Sequence, residues 1–115
     1  MPFGLFDWLS RKPKVDSFHM LYANGKLAGQ LRKMHAAILT HLLSGEQHLD
    51  SDEFARTLPR DWEVRSGNAV RLACHELRIA GVLKIRVIGK GSSERQLHSI
   101  TKNYRPHVER YLADR

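Results

Sequence analysis

A chain of 115 residues, 42% hydrophobic and 27% charged, is long enough for one domain with a single modest core and too apolar for wholesale disorder. Nineteen Lys and Arg against twelve Asp and Glu give a formal net charge of +7, a sign that favours polyanions: nucleic acid first, an anionic membrane surface second. One cysteine rules out an intrachain disulfide and suits a reducing cytoplasm, and no run of ~18 apolar residues offers a membrane span.

Residues 1–25 stand apart as an apolar and basic segment. Phe3, Leu5, Phe6, Trp8 and Leu9 are followed by Arg11, Lys12 and Lys14, and the Asp7 among them argues against a signal peptide. Three readings compete: an in-plane membrane anchor, a docking segment for a partner or second subunit, or a flap over the chain's own core. So short a helix is marginal alone and one basic cluster is weak evidence for lipid, which favours docking or flap. Phe3, Phe6 and Trp8, with Tyr111 near the other end, are the expected partner-binding side chains. Lys12-Pro13-Lys14 breaks the chain. Val15 to Asn24 fits neither the helical nor the strand period and reads as a connection ending in the turn signal Asn24-Gly25.

From Lys26 to Ser44 the helical signal is strong, with Leu27, Leu31, Met34, Ile38 and Leu42 on one face and Gly45 as the stop. The next helix has a local start: Asp50 as N-cap, Glu53 three residues on, and Leu49 paired with Phe54. It must stop near Pro59, because the residue before a proline avoids the helical region. Pro59 to Arg65 then connects, with Trp62 and Val64 predicting a short strand or an extra turn.

Ser66 or Asn68 opens a third helix and Gly81 closes it. At about 100° per residue, Val70, Ala73, Cys74, Leu77 and Ala80 share one side, and Asn68, Arg71, His75 and Arg78 share the other. A core needs the first set and does not need the second. Guanidinium groups at 71 and 78 suit guanine edges or successive phosphates, and Asn68 suits adenine. Solvation alone explains many such faces, and Leu72 and Ile79 project toward the polar side, so they are expected to pack on the following hairpin or on a second subunit. Leu83, Ile85 and Val87 alternate with Lys84 and Arg86 as in a strand with one buried face, and Leu97 to Thr101 is the return strand. Gly89 to Arg95 between them is a flexible basic loop.

A helix followed directly by a basic two-stranded loop resembles the winged helix-turn-helix superfamily over residues 26–103. The resemblance implies a mainly α fold with a small β-hairpin, whose second turn helix lies in the DNA major groove and whose wing touches the flanking backbone or minor groove. The longer Pro59 to Arg65 connection departs from the simplest form of that motif. Charge placement agrees with the resemblance: from Arg56 to Arg95 there are nine basic residues against four acidic ones, whereas Glu46, Asp50, Asp52 and Glu53 make the preceding stretch acidic. In the last segment, 104–115, Asn103 and Pro106 mark a helix start with Tyr104, Val108, Tyr111 and Leu112 on one side. In the superfamily such a terminal helix commonly serves dimerisation.

Chemistry for catalysis does not stand out. No pair among the seven histidines has the three- or four-residue spacing that sets two metal ligands on one helix face, so no metal is expected. Cys74 falls on the apolar side as a buried thiol. Gly89-Lys90-Gly91-Ser92 lacks the setting of a phosphate loop, and no carboxylate pair or Ser, His and Asp arrangement appears. No cofactor and no enzymatic activity are expected. The sequence therefore predicts a small cytoplasmic DNA-binding regulator or accessory factor, dimeric and nucleoid-associated when bound. Asn68, Arg71, His75 and Arg78 are placed at base edges, and Arg65, Lys84, Arg86, Lys90 and Arg95 at phosphates. The alternative is a protein-interaction module on the same fold, which Leu72, Ile79 and the apolar amino terminus favour. RNA is a third partner class, without an aromatic-studded strand to stack bases.

Overall fold

The computed structural model describes residues 17–115, so the expectations placed on Phe3, Phe6 and Trp8 lie outside the described residues. In chain order the elements are α1 (Phe18–Ala23), α2 (Arg32–Leu42), β1 (Gln47–His48), α3 (Ser51–Arg56), α4 (Gly67–Ile79), β2 (Leu83–Ile88), β3 (Arg95–Ile100) and α5 (Arg105–Ala113). Single 3-10 turns lie at Gly29–Leu31 and Gly91–Ser93.

Helix α1 occupies Phe18–Ala23 of the connecting segment expected over Val15 to Asn24, whose first two residues lie outside the described ones. Its order comes from long-range packing: Phe18 and Leu21 are buried, and the Phe18 ring lies 4.5 Å from that of Tyr111 in α5. The long helix expected from Lys26 is shorter at its start. Leu27 and Leu31 are buried as the apolar stripe requires, but the Leu27 N–H bonds back to the Leu21 carbonyl at 3.0 Å, and a 3-10 turn delays the α-helix to Arg32. Gly25, at φ +80°, makes the preceding reversal.

Asp50 caps α3 as expected, its Oδ1 accepting from the Glu53 N–H at 2.9 Å. The helix ends at Arg56 rather than running through Leu58, although Leu58 is still buried. In the Pro59 to Arg65 connection the alternative of an extra turn is the one found: the Trp62 N–H reaches the Pro59 carbonyl at 3.2 Å, and no strand forms there.

The hairpin is antiparallel, in register from Leu83 opposite Ile100 to Ile88 opposite Arg95, so Arg95 lies in the return strand rather than in the loop. Its buried face fades along β2: Leu83 is buried, Ile85 is half-buried, and Val87 is 51% exposed. Beyond the expected hairpin, β1 pairs with β3 through Gln47 opposite His98 and His48 opposite Leu97, giving a three-stranded sheet in the order β1-β3-β2. One core joins the described helices to the inner end of this sheet, through Leu39, Leu42, Val70, Leu77, Val82, Ile100 and Val108 among others.

Candidate nucleic-acid interface

Helix α4 is held at both ends by backbone chemistry written into its sequence. Ser66 Oγ, rather than Asn68, accepts the first free amide, from Ala69 at 3.1 Å. At the other end Gly81 takes φ +84° and lets the Val82 N–H bond to the Leu77 carbonyl at 2.8 Å, which starts β2 directly. Ala69, Val70, Ala73, Cys74 and Leu77 are buried, and the expected outward set of Asn68, Arg71, His75 and Arg78 is exposed.

Leu72 and Ile79 are exposed with them, at 51% and 72% of their surface, instead of packing on the hairpin. Asn68, Leu72, His75 and Ile79 follow spacings of four, three and four, which puts them on one line along the helix. Arg71 and Arg78 lie to one side of that line. With Cys74, His75, Ile85 and His98 they line a groove of 420 Å³ between α4 and the sheet. The arginines therefore flank the outward line on its sheet side.

Each arginine is already held. Arg71 donates to Asn68 Oδ1 and pairs with the Asp52 carboxylate of α3 at 3.7 Å. Arg78 Nη2 approaches His75 Nδ1 at 3.1 Å; since a guanidinium only donates, Nδ1 is the acceptor and the imidazole proton sits on Nε2. On the sheet, Arg86 is engaged more firmly, with both Nε and Nη2 on the Glu46 carboxylate at distances down to 2.5 Å. That pairing holds the Glu46 carboxyl below its usual range and raises the Arg86 guanidinium. Lys84, Lys90, Arg95 and Arg65 are exposed, and Arg65, Lys90 and Arg95 form no ion pair with any described residue. Gly89 and Gly91 shape the tip at φ +81° and +60°, and a Cβ on Gly89 would meet the Ser93 carbonyl oxygen at 2.5 Å.

Glu76, the single acidic residue of α4, is turned inward. Its Oε1 accepts from Nε2 of the fully buried His35 at 2.9 Å, and His35 Nδ1 lies 2.8 Å from the Tyr22 hydroxyl. A carboxylate can only accept, so Nε2 carries the proton and Nδ1 takes the Tyr22 O–H. Burial lowers the His35 pKa, against the Glu76 carboxylate, and burial likewise pushes the Tyr22 hydroxyl well above its ordinary value. The network pins α4 to α1 and α2 and removes its only negative charge from the outward side. Nothing local in the sequence pairs His35 with a residue 41 positions away, nor Arg86 with Glu46 at 40.

A second cleft, of 690 Å³, shares no residue with α4; His19, Arg32, Lys33, Trp62, Tyr111 and Arg115 are among its lining. Tyr111, expected at a partner surface, is buried within the chain. Among the described residues, no group of three His, Cys, Asp or Glu is placed to hold a metal ion, and no helix is long and apolar enough to cross a membrane.

Three helices, α2, α3 and α4, followed by a hairpin whose sheet is completed by β1, constitute a winged helix-turn-helix fold. Solved structures share it. A PadR family transcription regulator from hypervirulent Clostridium difficile R20291 superposes with a TM-score of 0.56 at 16% identity, over 70% of this chain and 84% of that one. A chain described as a transcriptional regulator of the MarR family from Enterococcus faecalis V583 gives a TM-score of 0.58 at 10% identity, over 90% of this chain and 86% of that one. No protein-family model matches the sequence, and no curated protein does.

Proposed function

We propose that the chain is a non-enzymatic, DNA-binding transcriptional regulator that lays α4 in the major groove and sets the tip of the β2–β3 hairpin on the adjoining backbone. The observation that carries this reading is that α4 exposes Asn68, Arg71, His75 and Arg78, while its one carboxylate is withdrawn to His35. Asn68 and His75 take base edges, with Arg71 and Arg78 beside them. Arg65, Lys84, Lys90 and Arg95 take phosphates, and Arg86 joins them to the extent that it leaves Glu46. Asn68 and Arg71 hold one another before binding, so the amide is freed for adenine as the guanidinium moves onto DNA. In this reading the working form is a cytoplasmic homodimer.

A gel-shift series tests the assignment. Affinity for duplex DNA falls steeply with salt; Arg71→Glu weakens a selected site far more than random DNA, and Lys90→Ala weakens both alike. An Arg71→Glu protein that binds like the parent refutes the placement of α4. The exposed Leu72 and Ile79 favour a second reading, a protein-interaction module on the same fold. Its signature is self-association or partner capture that depends on those two residues, without duplex affinity near physiological salt.

A further inference from the structure

The most outward positions of α4 are not its arginines. At 100° per residue, Asn68, Leu72, His75 and Ile79 fall within an arc of roughly 60° opposite the buried side, and Arg71 and Arg78 stand at its edge toward the sheet. Whatever meets the helix head-on meets two aliphatic side chains alternating with two polar ones. Leu72 and Ile79 are 51% and 72% exposed, and Leu72 borders a shallow cleft with Leu31 and Val64. Isolated exposed aliphatics need no explanation. These two share one line, are flanked by cations, and lie on the helix whose carboxylate is turned away.

The occupant that matches is a surface with anionic rims and small apolar patches between hydrogen-bonding edges. The major groove of A·T-containing duplex has that character, because the thymine 5-methyl is the apolar group displayed there, beside the adenine N6 and N7 that suit Asn68. We propose that Leu72 and Ile79 are specificity-determining residues that contact thymine methyl groups, so that the preferred site is defined by thymines as much as by any guanine. This rests on the DNA-binding reading above. Seven residues of α-helix separate Leu72 from Ile79, a rise of about 10 Å, which matches about three base-pair steps. The two thymine positions are accordingly expected about three steps apart.

The test replaces thymine by deoxyuridine, which deletes the methyl and leaves every hydrogen-bonding edge in place. A duplex site is selected from a random pool by the parent protein, and each thymine in it is exchanged singly. Loss of one methyl contact is expected to weaken binding roughly three- to fivefold, from the transfer free energy of a buried methylene-sized group. That penalty should appear at two positions, vanish at one of them in Leu72→Ala, and vanish at the other in Ile79→Ala. Both side chains are exposed, so thermal melting should match the parent's in both variants. Equal affinity for thymine and uracil sites, or a uracil penalty that survives in both variants, overturns the proposal. So does a parent that self-associates through Leu72 and Ile79 with no uracil penalty, which makes the line a protein interface. Failure to bind any duplex at low salt removes the DNA-binding reading itself, a result distinct from binding that is blind to the methyl.

Discussion

Deleting the carboxylate that anchors α4 gives the sharpest test of the buried network. In Glu76→Ala, His35 Nε2–H loses its acceptor on a ring that is fully buried in the parent. An orphaned buried donor costs about 2 kcal/mol, which for a domain of this size lowers Tm by roughly 10 °C and the urea midpoint by roughly 1 M with an unchanged slope. Equilibrium urea unfolding followed by circular dichroism reads this directly. The pH dependence adds a second readout. Burial sets the His35 pKa below the ordinary histidine value of 6.5, so between the two values the unfolded chain binds a proton that the folded chain refuses. Stability is therefore full above about pH 6.5 and declines as the pH falls below it. His98 is shifted the same way, first by burial and then by His48 and Arg78, so the share owed to His35 is the part of the slope that disappears in His35→Gln. A Glu76→Ala protein with the parent's midpoint, or a His35→Gln protein with the parent's acid slope, would refute the reasoning.

Other expectations follow from single contacts. Asp50→Ala removes the acceptor for the Glu53 N–H at the start of α3 and should cost about 1 kcal/mol in the same unfolding assay. Burial pushes the Cys74 thiol up to about 11, so iodoacetamide at pH 8 should label it only at the rate at which the chain opens. Glu46→Gln releases Arg86 from its carboxylate; duplex affinity should rise at low salt, and the log–log salt slope should steepen by about one unit.

What could be read from the sequence was what local chemistry decides. Asp50 and Ser66 cap helices because an oxygen three residues ahead of a free amide is a short-range matter, and Gly25 and Gly81 reverse the chain because they take a positive φ. The two faces of α4 follow from the helical repeat alone. What escaped depends on distant partners. Helix α1 exists because Phe18 meets Tyr111, more than ninety positions away, and β1 is two residues whose only reason to extend is the free edge of β3. The candidate site was legible as a set of outward residues, and less so in its electrostatics. Asp52 and Glu46 come from other elements to hold Arg71 and Arg86, and His35 reaches across from α2 to take Glu76 out of the field. Leu72 and Ile79 looked like packing residues because aliphatic side chains usually are. The helical repeat already sets them on the outward side, and the fold leaves them 51% and 72% exposed there.

The measurement that meets the central claim most directly is a titration of the labelled protein with duplex DNA, followed amide by amide by two-dimensional NMR. The account predicts that the largest shifts fall on Asn68 to Ile79 of α4, with a second set at Lys90 to Arg95 of the hairpin tip, and that both collapse as salt is raised. Shifts confined instead to the cleft lined by Arg32, Trp62 and Arg115, or an unchanged spectrum at low salt, would contradict it.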